Sequence, residues 1–357
     1  MEPWFSVGEA LLGVVILLFV IQDVFRVVVM PRPYYGRSLT KAMLRTSWRL
    51  WRRVAIRHTD GLRREGVLGI FGQLGLLILL GFWAAGLTLG YGLILDALRE
   101  QLRPVPGSFG TSLYVAGVSL LTLGLGDIVP VGGPARLVML LTAASGPALI
   151  GLVLALLFSL NSSFQRREAL VTTLDASAGA PPSGVRMLET YATLGIAGEL
   201  PGMFRLWELW TAEVLDSHLS YPLLAFFRST HDNESWISAL GAVLDAATLT
   251  IAAIEVPAGN AQLMYDLGCH AVEDLTGYFG LVHERDVGVE FVEFEAALAT
   301  LAEAGLPVIL SDVAWERFRV LRERYAGALN VLARNFVTPP ALWIGDRSTL
   351  HAADGRL

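Results

Sequence analysis

Thr122-Leu123-Gly124-Leu125-Gly126-Asp127, followed by Ile128, Val129 and Pro130, lies between two long apolar stretches and directly after a short charge-free segment, Phe109 to Leu121. That segment is too short to cross a bilayer, which takes about 20 helical residues. A short helix leading into glycine-rich chain, enclosed by two spans, is the pattern of a re-entrant loop. Glycine-rich runs elsewhere are commonly mere turns, but irregular backbone at membrane depth is tolerated only inside protein or along a water-filled cavity.

Gly124 and Gly126 alternate with residues that carry side chains. Glycine reaches backbone conformations closed to other residues, so a G-x-G run can turn successive carbonyls to one side. A row of such carbonyls can replace the hydration shell of a monovalent cation. Thr122 would add a hydroxyl at the inner end, and Asp127 a carboxylate at the outer end that raises the local concentration of cations.

The run resembles the filter signature of the potassium channel pore family, usually written TVGYGD. Thr122, Gly124, Gly126 and Asp127 match; Leu123 stands for the valine and Leu125 for the tyrosine, as in the second pore loop of some two-pore-domain potassium channels. The resemblance covers about Gly66 to Phe164. It implies an outer helix, a pore helix, a filter of Thr122 to Asp127 and an inner helix, with permeant potassium held by the backbone of Thr122, Leu123, Gly124 and Leu125, Gly126 completing the G-x-G run, and Asp127 focusing the ions. One filter per chain then implies a homotetramer. Val118 stands where many members carry a glutamate, Leu121 where a second threonine is common, and Leu125 lacks a hydroxyl. These departures leave open a poorly selective monovalent cation channel of the same build. A membrane-anchored signalling or binding protein with a vestigial pore is the alternative from another class.

The chain has 357 residues, 54% of them hydrophobic and 17% charged, with a mean hydropathy of +0.53. These values indicate a membrane protein with a sizeable extramembrane part. Residues 1–160 carry 14 Arg and Lys against 8 Asp and Glu, and residues 161–357 carry 13 against 25, so the halves are +6 and −12. The basic half owes its charge to a stretch between two apolar segments, which membrane orientation explains better than nucleic-acid binding. Cys269 is the sole cysteine, so no internal disulfide or CxxC metal site can form.

Residues 1–30 read as a peripheral transmembrane helix. Glu2 and Glu9 in place of a basic start, with no small-residue cleavage site, predict a retained span rather than a leader. Asp23 and Arg26, three apart, can pair near its end. Residues 31–65 hold ten Arg or Lys, Arg32 and Arg37 among them, against Asp60 and Glu65. The positive-inside rule makes them cytoplasmic. Lys41, Arg45, Arg49, Arg53 and Arg57 recur every fourth residue opposite Leu39, Met43, Leu50 and Val54, predicting an interfacial helix that meets anionic head groups.

Residues 66–164 form the expected pore domain. Gly66 to Leu95 is charge-free, about 45 Å if wholly helical. An external turret, Asp96 to Gly107, leads to the pore helix near Ser108. Leu137 to Ser163 is a second charge-free span, interrupted by Gly146-Pro147. Proline removes one helical hydrogen bond and predicts a kink. Gly146 lies 20 residues after Gly126, similar to the hinge glycine of the family, so Gly146 and Pro147 are the candidate gating hinge; an ordinary packing glycine is the other reading.

Residues 165–184 read as a flexible linker, from Asp175 to Gly184 in particular. Residues 185–357 form a predicted all-α cytoplasmic regulatory domain, with helical spacing in Val185–Leu200, Met203–Leu219, Trp236–Glu255, Gln262–Leu281, Val289–Ala304 and Ser311–Phe336. The acidic cluster Glu284, Asp286, Glu290, Glu293 and Glu295 reads as a solvated face rather than a metal site. His218, His231, His270 and His283 are too scattered to suggest ligation. Ser220 to Trp236, dense in aromatics, is packing, a ligand pocket or a subunit contact. No nucleophile with its base suggests an enzyme and no cofactor is implied. The sequence thus predicts a multi-pass inner-membrane protein with its N-terminus outside and its C-terminal domain cytoplasmic.

Overall fold

A computed structural model describes residues 3–30, 39–57, 61–229, 233–282, 288–338 and 341–343. Arg32, Arg37, Asp60, His231, His283, Glu284 and Asp286 lie outside the described residues. The chain is an all-α membrane protein divided into two compact units, Met1–Asn161 and Ser162–Leu357.

The first unit begins with α1 (Pro3–Val24), continued by a wider helical turn, Phe25–Val29. Then come α2 (Leu39–Ala55), α3 (Gly61–Gly69) and α4 (Phe71–Ala97). The long charge-free run passes from α3 into α4 through Ile70, itself in helical conformation, and Arg63–Ala97 makes one 35-residue candidate span. α1 packs along α4 by small residues, the usual device where lipid is as apolar as leucine and only close contact favours association. A Cβ at Gly13 would lie 2.6 Å from the Gly90 carbonyl oxygen, and one at Gly86 would lie 2.7 Å from Val20. Leu17, Val20 and Val24 are buried there, while Leu11, Val15, Leu18 and Phe19 on other sides of α1 are exposed, as lipid-facing residues would be. Asp23 is buried and accepts from Trp83 Nε1 of α4 at 3.0 Å and from the Thr40 hydroxyl of α2. One carboxylate thus ties three helices.

α5 (Phe109–Leu120) opens on Ser108, whose hydroxyl accepts from the Thr111 amide at 3.3 Å. At 12 residues it is about 18 Å long, roughly half a bilayer core. Two short strands flank it: β1 (Leu102–Arg103) and β2 (Val129–Pro130) pair antiparallel, with Leu102 opposite Pro130. α6 (Gly133–Val171) runs for 39 residues and continues through Pro147, so the proline is carried inside one helix rather than ending it.

The second unit holds the end of α6, then α7 (Leu174–Ala178), α8 (Gly184–Thr193), α9 (Leu200–Ser220), α10 (Trp236–Ala253), α11 (Gly259–Phe279), α12 (Phe291–Glu303), α13 (Asp312–Glu323) and α14 (Ala326–Phe336). The stretch read as a flexible linker is packed: Leu174 and Ala178 are buried and α7 lies against α8. Its small residues permit close approach as readily as they permit disorder. The last helix is divided, at Arg324–Tyr325, because the apolar spacing runs on through the break.

α10 organises this unit. By length and hydropathy it is a candidate span, yet all 18 of its residues are buried by its neighbours, the α8, α9, α11, α13 and α14 helices among them. Its one ionisable side chain, Asp245, accepts from Tyr325 Oη at 2.5 Å and Arg322 Nε at 3.3 Å. The aromatic-rich stretch after Ser220 supplies core: Leu223, Leu224 and Phe226 are buried, and Phe226 meets Phe336 edge-on at 5.2 Å. Cys269 is buried too. Glu290 and Glu293 form the capping box of α12, with the Glu290 amide donating to Glu293 Oε2 at 2.9 Å, which accounts for two of the five acidic residues.

At the end of α6, Arg167 is fully buried and donates to His218 Nε2 at 3.1 Å, to Leu224 O at 3.2 Å and to Phe227 O at 2.8 Å. A guanidinium only donates, so His218 Nε2 is unprotonated and its Nδ1–H donates to Val214 O at 2.8 Å. Burial, and then Arg167, push the His218 imidazole well below its usual 6.5. The fold therefore holds it neutral, and as pH falls the unfolded chain takes up the proton first. Stability is complete above 6.5 and declines below it, by about 1.4 kcal/mol per pH unit until the folded imidazole also titrates. Thermal midpoints of the full chain in micelles at pH 7.5 and 5 are expected to differ, and His218→Gln, whose amide oxygen can still accept from Arg167, should narrow that gap.

Candidate functional site

The loop after α5 is rooted by three hydrogen bonds that unwind the helix: Leu121 N to Gly117 O at 2.9 Å, Thr122 N to Ser119 O at 3.0 Å, and Leu123 N to Val118 O at 2.9 Å. Beyond them the backbone alternates. Thr122, Gly124 and Gly126 have φ of 56°, 58° and 74°, while Leu123 and Leu125 remain at negative φ. Left- and right-handed residues in strict alternation turn successive carbonyls toward the same side, since each inversion of φ cancels the half-turn of an ordinary strand. Glycine takes the left-handed conformation freely. Thr122, β-branched, does not, and its strain marks the start of the row.

The row is held at three places. At its root, α6 touches the end of α5 where Gly146 meets Leu120: a Cβ on Gly146 would lie 1.8 Å from the Leu120 carbonyl oxygen. Behind α5, Asp96 in the last turn of α4 is buried and accepts from the buried Ser112 hydroxyl at 2.8 Å, while Tyr91 and Ser145 join α4 to α6 through their hydroxyls at 2.7 Å. At its far end the Tyr114 phenol of α5 faces the Asp127 carboxylate, and β2, which follows Ile128 directly, is paired to β1. Tyr114 was not singled out in the sequence, although its place on a charge-free helix thirteen residues before a carboxylate is a signal that a helix–loop hairpin can bring the two together.

Leu121, Leu123 and Leu125 are 65%, 59% and 62% exposed, and Thr122, Gly124, Gly126 and Asp127 are exposed as well. On a single chain, then, this whole strip of backbone and leucine is uncovered. Gly146 and Pro147 lie together in α6, with Gly146 in contact with the pore helix.

The basic helix has three faces rather than two. Leu44, Trp48 and Ala55 of α2 are buried, Trp48 lying edge-on to Phe71 at 4.9 Å, and Trp51 Nε1 donates to Val67 O at 2.8 Å. Arg45, Arg49 and Arg53 of the helix and Arg57 just beyond it are exposed, and Leu50 and Val54 form a separate exposed apolar stripe. Lys41 is half-buried; burial, then Arg45, lower its ammonium to about 8. Among the described residues no cluster of His, Cys, Asp or Glu could hold a metal ion.

Residues 78–163 match the family model described as "Ion channel", a stretch that begins in α4, includes α5 and the alternating row, and ends within α6. An uncharacterized membrane protein of Bacillus subtilis, YdjJ, is 23% identical over 295 residues, covering 82% of this chain and 84% of its own length. That alignment is too long to be the matched stretch alone, so the likeness extends beyond it. No solved structure matches. Over residues 78–163 the chain is thus similar to an ion channel domain, and with its several apolar helices it is a multi-pass membrane protein.

Proposed function

We propose that the protein is a homotetrameric channel that passes potassium down its gradient through a filter built from Thr122 to Asp127. The observation that carries this reading is the alternating row itself, exposed along its length beside leucines on the single chain. Four such rows around one axis would supply the carbonyl cage and cover the leucines at once. Dehydrated potassium would sit between the carbonyls of Thr122, Leu123, Gly124 and Leu125, and the four Asp127 carboxylates would concentrate cations at the outer mouth. The membrane is the cell inner membrane, with the N-terminus outside and the second unit in the cytoplasm, an orientation that the basic stretch before α4 supports. There Lys41, Arg45, Arg49, Arg53 and Arg57 meet anionic lipid head groups, while the cytoplasmic helices set the gate and Gly146-Pro147 let the inner helix bend.

A second reading rests on Leu125 and Val118, which offer the filter no polar brace: the same pore passes sodium and potassium alike. Flux into liposomes containing the purified full chain separates the readings. Potassium-selective reversal potentials with block by barium support the first, equal sodium and potassium permeability the second, and absence of flux from the wild-type chain, with or without residues 165–357, would sink both.

A further inference from the structure

Besides the β1–β2 pairing, one residue ties the outer end of the row to the turret. Gln101 immediately precedes β1. Its carbonyl accepts from Val131 N at 2.8 Å and Gly132 N at 3.4 Å. Its side-chain Oε1 reaches across and accepts from Ala135 N at 3.3 Å, one of the first amides of α6 and therefore without a partner inside its own helix. Next to it, Leu102 is fully buried and Arg103 lies opposite Val129. Gln101 thus grips the segment that links Asp127 to the inner helix near its α6 end: its main chain fixes the residues just past β2, and its side chain caps α6. Gly132 makes room for this, since a Cβ there would lie 2.2 Å from Gln101 Oε1. Arg136 Nε adds a bond to Pro130 O at 3.3 Å on the exposed side.

We infer that Gln101 is a positioning residue for the outer end of the filter: through the 128–135 segment it sets where the carbonyls of residues 124–126 and the Asp127 carboxylate stand. This rests on the reading of residues 122–127 as the ion path. A glutamine suits the task because its acceptor oxygen meets a helix N-terminus without adding a second ring of charge beside Asp127. Gln101 takes no part in ion coordination, so its loss acts by releasing a constraint. The outer carbonyls then wander, and ions that fit the cage less well pass more readily.

The test compares Gln101→Leu, Gln101→Glu and Gly132→Ala in the full chain reconstituted in liposomes. The reversal potential between potassium and sodium is read beside the thermal midpoint in micelles. Gln101→Leu is expected to lower the permeability ratio about tenfold, the equilibrium worth of one hydrogen bond to a buried partner. Gln101→Glu, which keeps the acceptor, should restore most of the ratio. Gly132→Ala displaces the Gln101 side chain and should reproduce the Leu variant, with no further loss in the double variant. A ratio unchanged in Gln101→Leu while wild-type flux is intact would overturn the inference, as would a ratio that falls equally in Leu and Glu variants. Wild-type chain without flux would overturn it by removing the ion path on which it rests. A shift in thermal midpoint alone, without a shift in reversal potential, would make Gln101 merely structural and refute the assignment.

Discussion

On the proposed function, Gly124→Ala is expected to lower potassium flux about a hundredfold while leaving helix content nearly unchanged, because left-handed backbone costs an L-residue with a Cβ about 1–2 kcal/mol in each chain. The space around Gly124 is open, with nothing within 4 Å of a Cβ there. Steric collision is therefore not the cause, and the effect must come from φ of 58° alone. If the alanine escapes by inverting φ, its carbonyl swings off the common side, and in a four-chain pore that happens four times along one path. Ion flux with circular dichroism on the same sample checks this. Flux retained in Gly124→Ala would show that the alternating row is not where ions pass.

The second large effect belongs to Gly146→Ala, for the opposite reason. Here the Cβ would lie 1.8 Å from a backbone oxygen, that of Leu120, and neither main chain can swing aside as a flexible side chain would. Overpacking of this kind costs about 1–3 kcal/mol or more, applied where the inner helix meets the root of the filter. Reduced assembly, a lowered thermal midpoint and lost flux are expected together. Gly151→Ala, five residues further along α6 and open to addition of a Cβ, is the control and should be neutral. A hinge glycine alone would behave otherwise: alanine would leave assembly intact and alter only the open fraction. Size-exclusion profiles beside flux distinguish the close contact from the pure hinge.

Much of the first unit was legible because its signals are local. Two charge-free stretches, a short capped helix at Ser108 and a G-x-G run specify spans and loop without reference to anything far away, and the alternation of φ at residues 122, 124 and 126 follows from where the glycines fall. What holds the loop was not legible. Gln101 to Ala135, Asp96 to Ser112 and Tyr91 to Ser145 join residues 16 to 54 positions apart, and each is a single polar side chain that reads alone as surface or turret. Apolar spacing also conceals breaks. Tyr325 interrupts a run whose periodicity continues on either side. In α2 two faces were visible, charged and apolar, but the buried one through Leu44, Trp48 and Ala55 depends on the neighbours it covers.

The burial of α10 bears on how the chain is made. While it is being synthesised, Trp236–Ala253 emerges after α8 and α9 but before α11, α13 and α14, which complete its cover. For that interval an apolar segment of 18 residues, the lower bound of what a translocon accepts as a span, is only partly sheltered beside a membrane already being entered by its own chain. Asp245 stands near its centre, where an aspartate opposes insertion by about 2.5–3.5 kcal/mol. The carboxylate that in the folded chain accepts from Arg322 and Tyr325 would also weigh against entry of the segment into lipid before those partners have been translated.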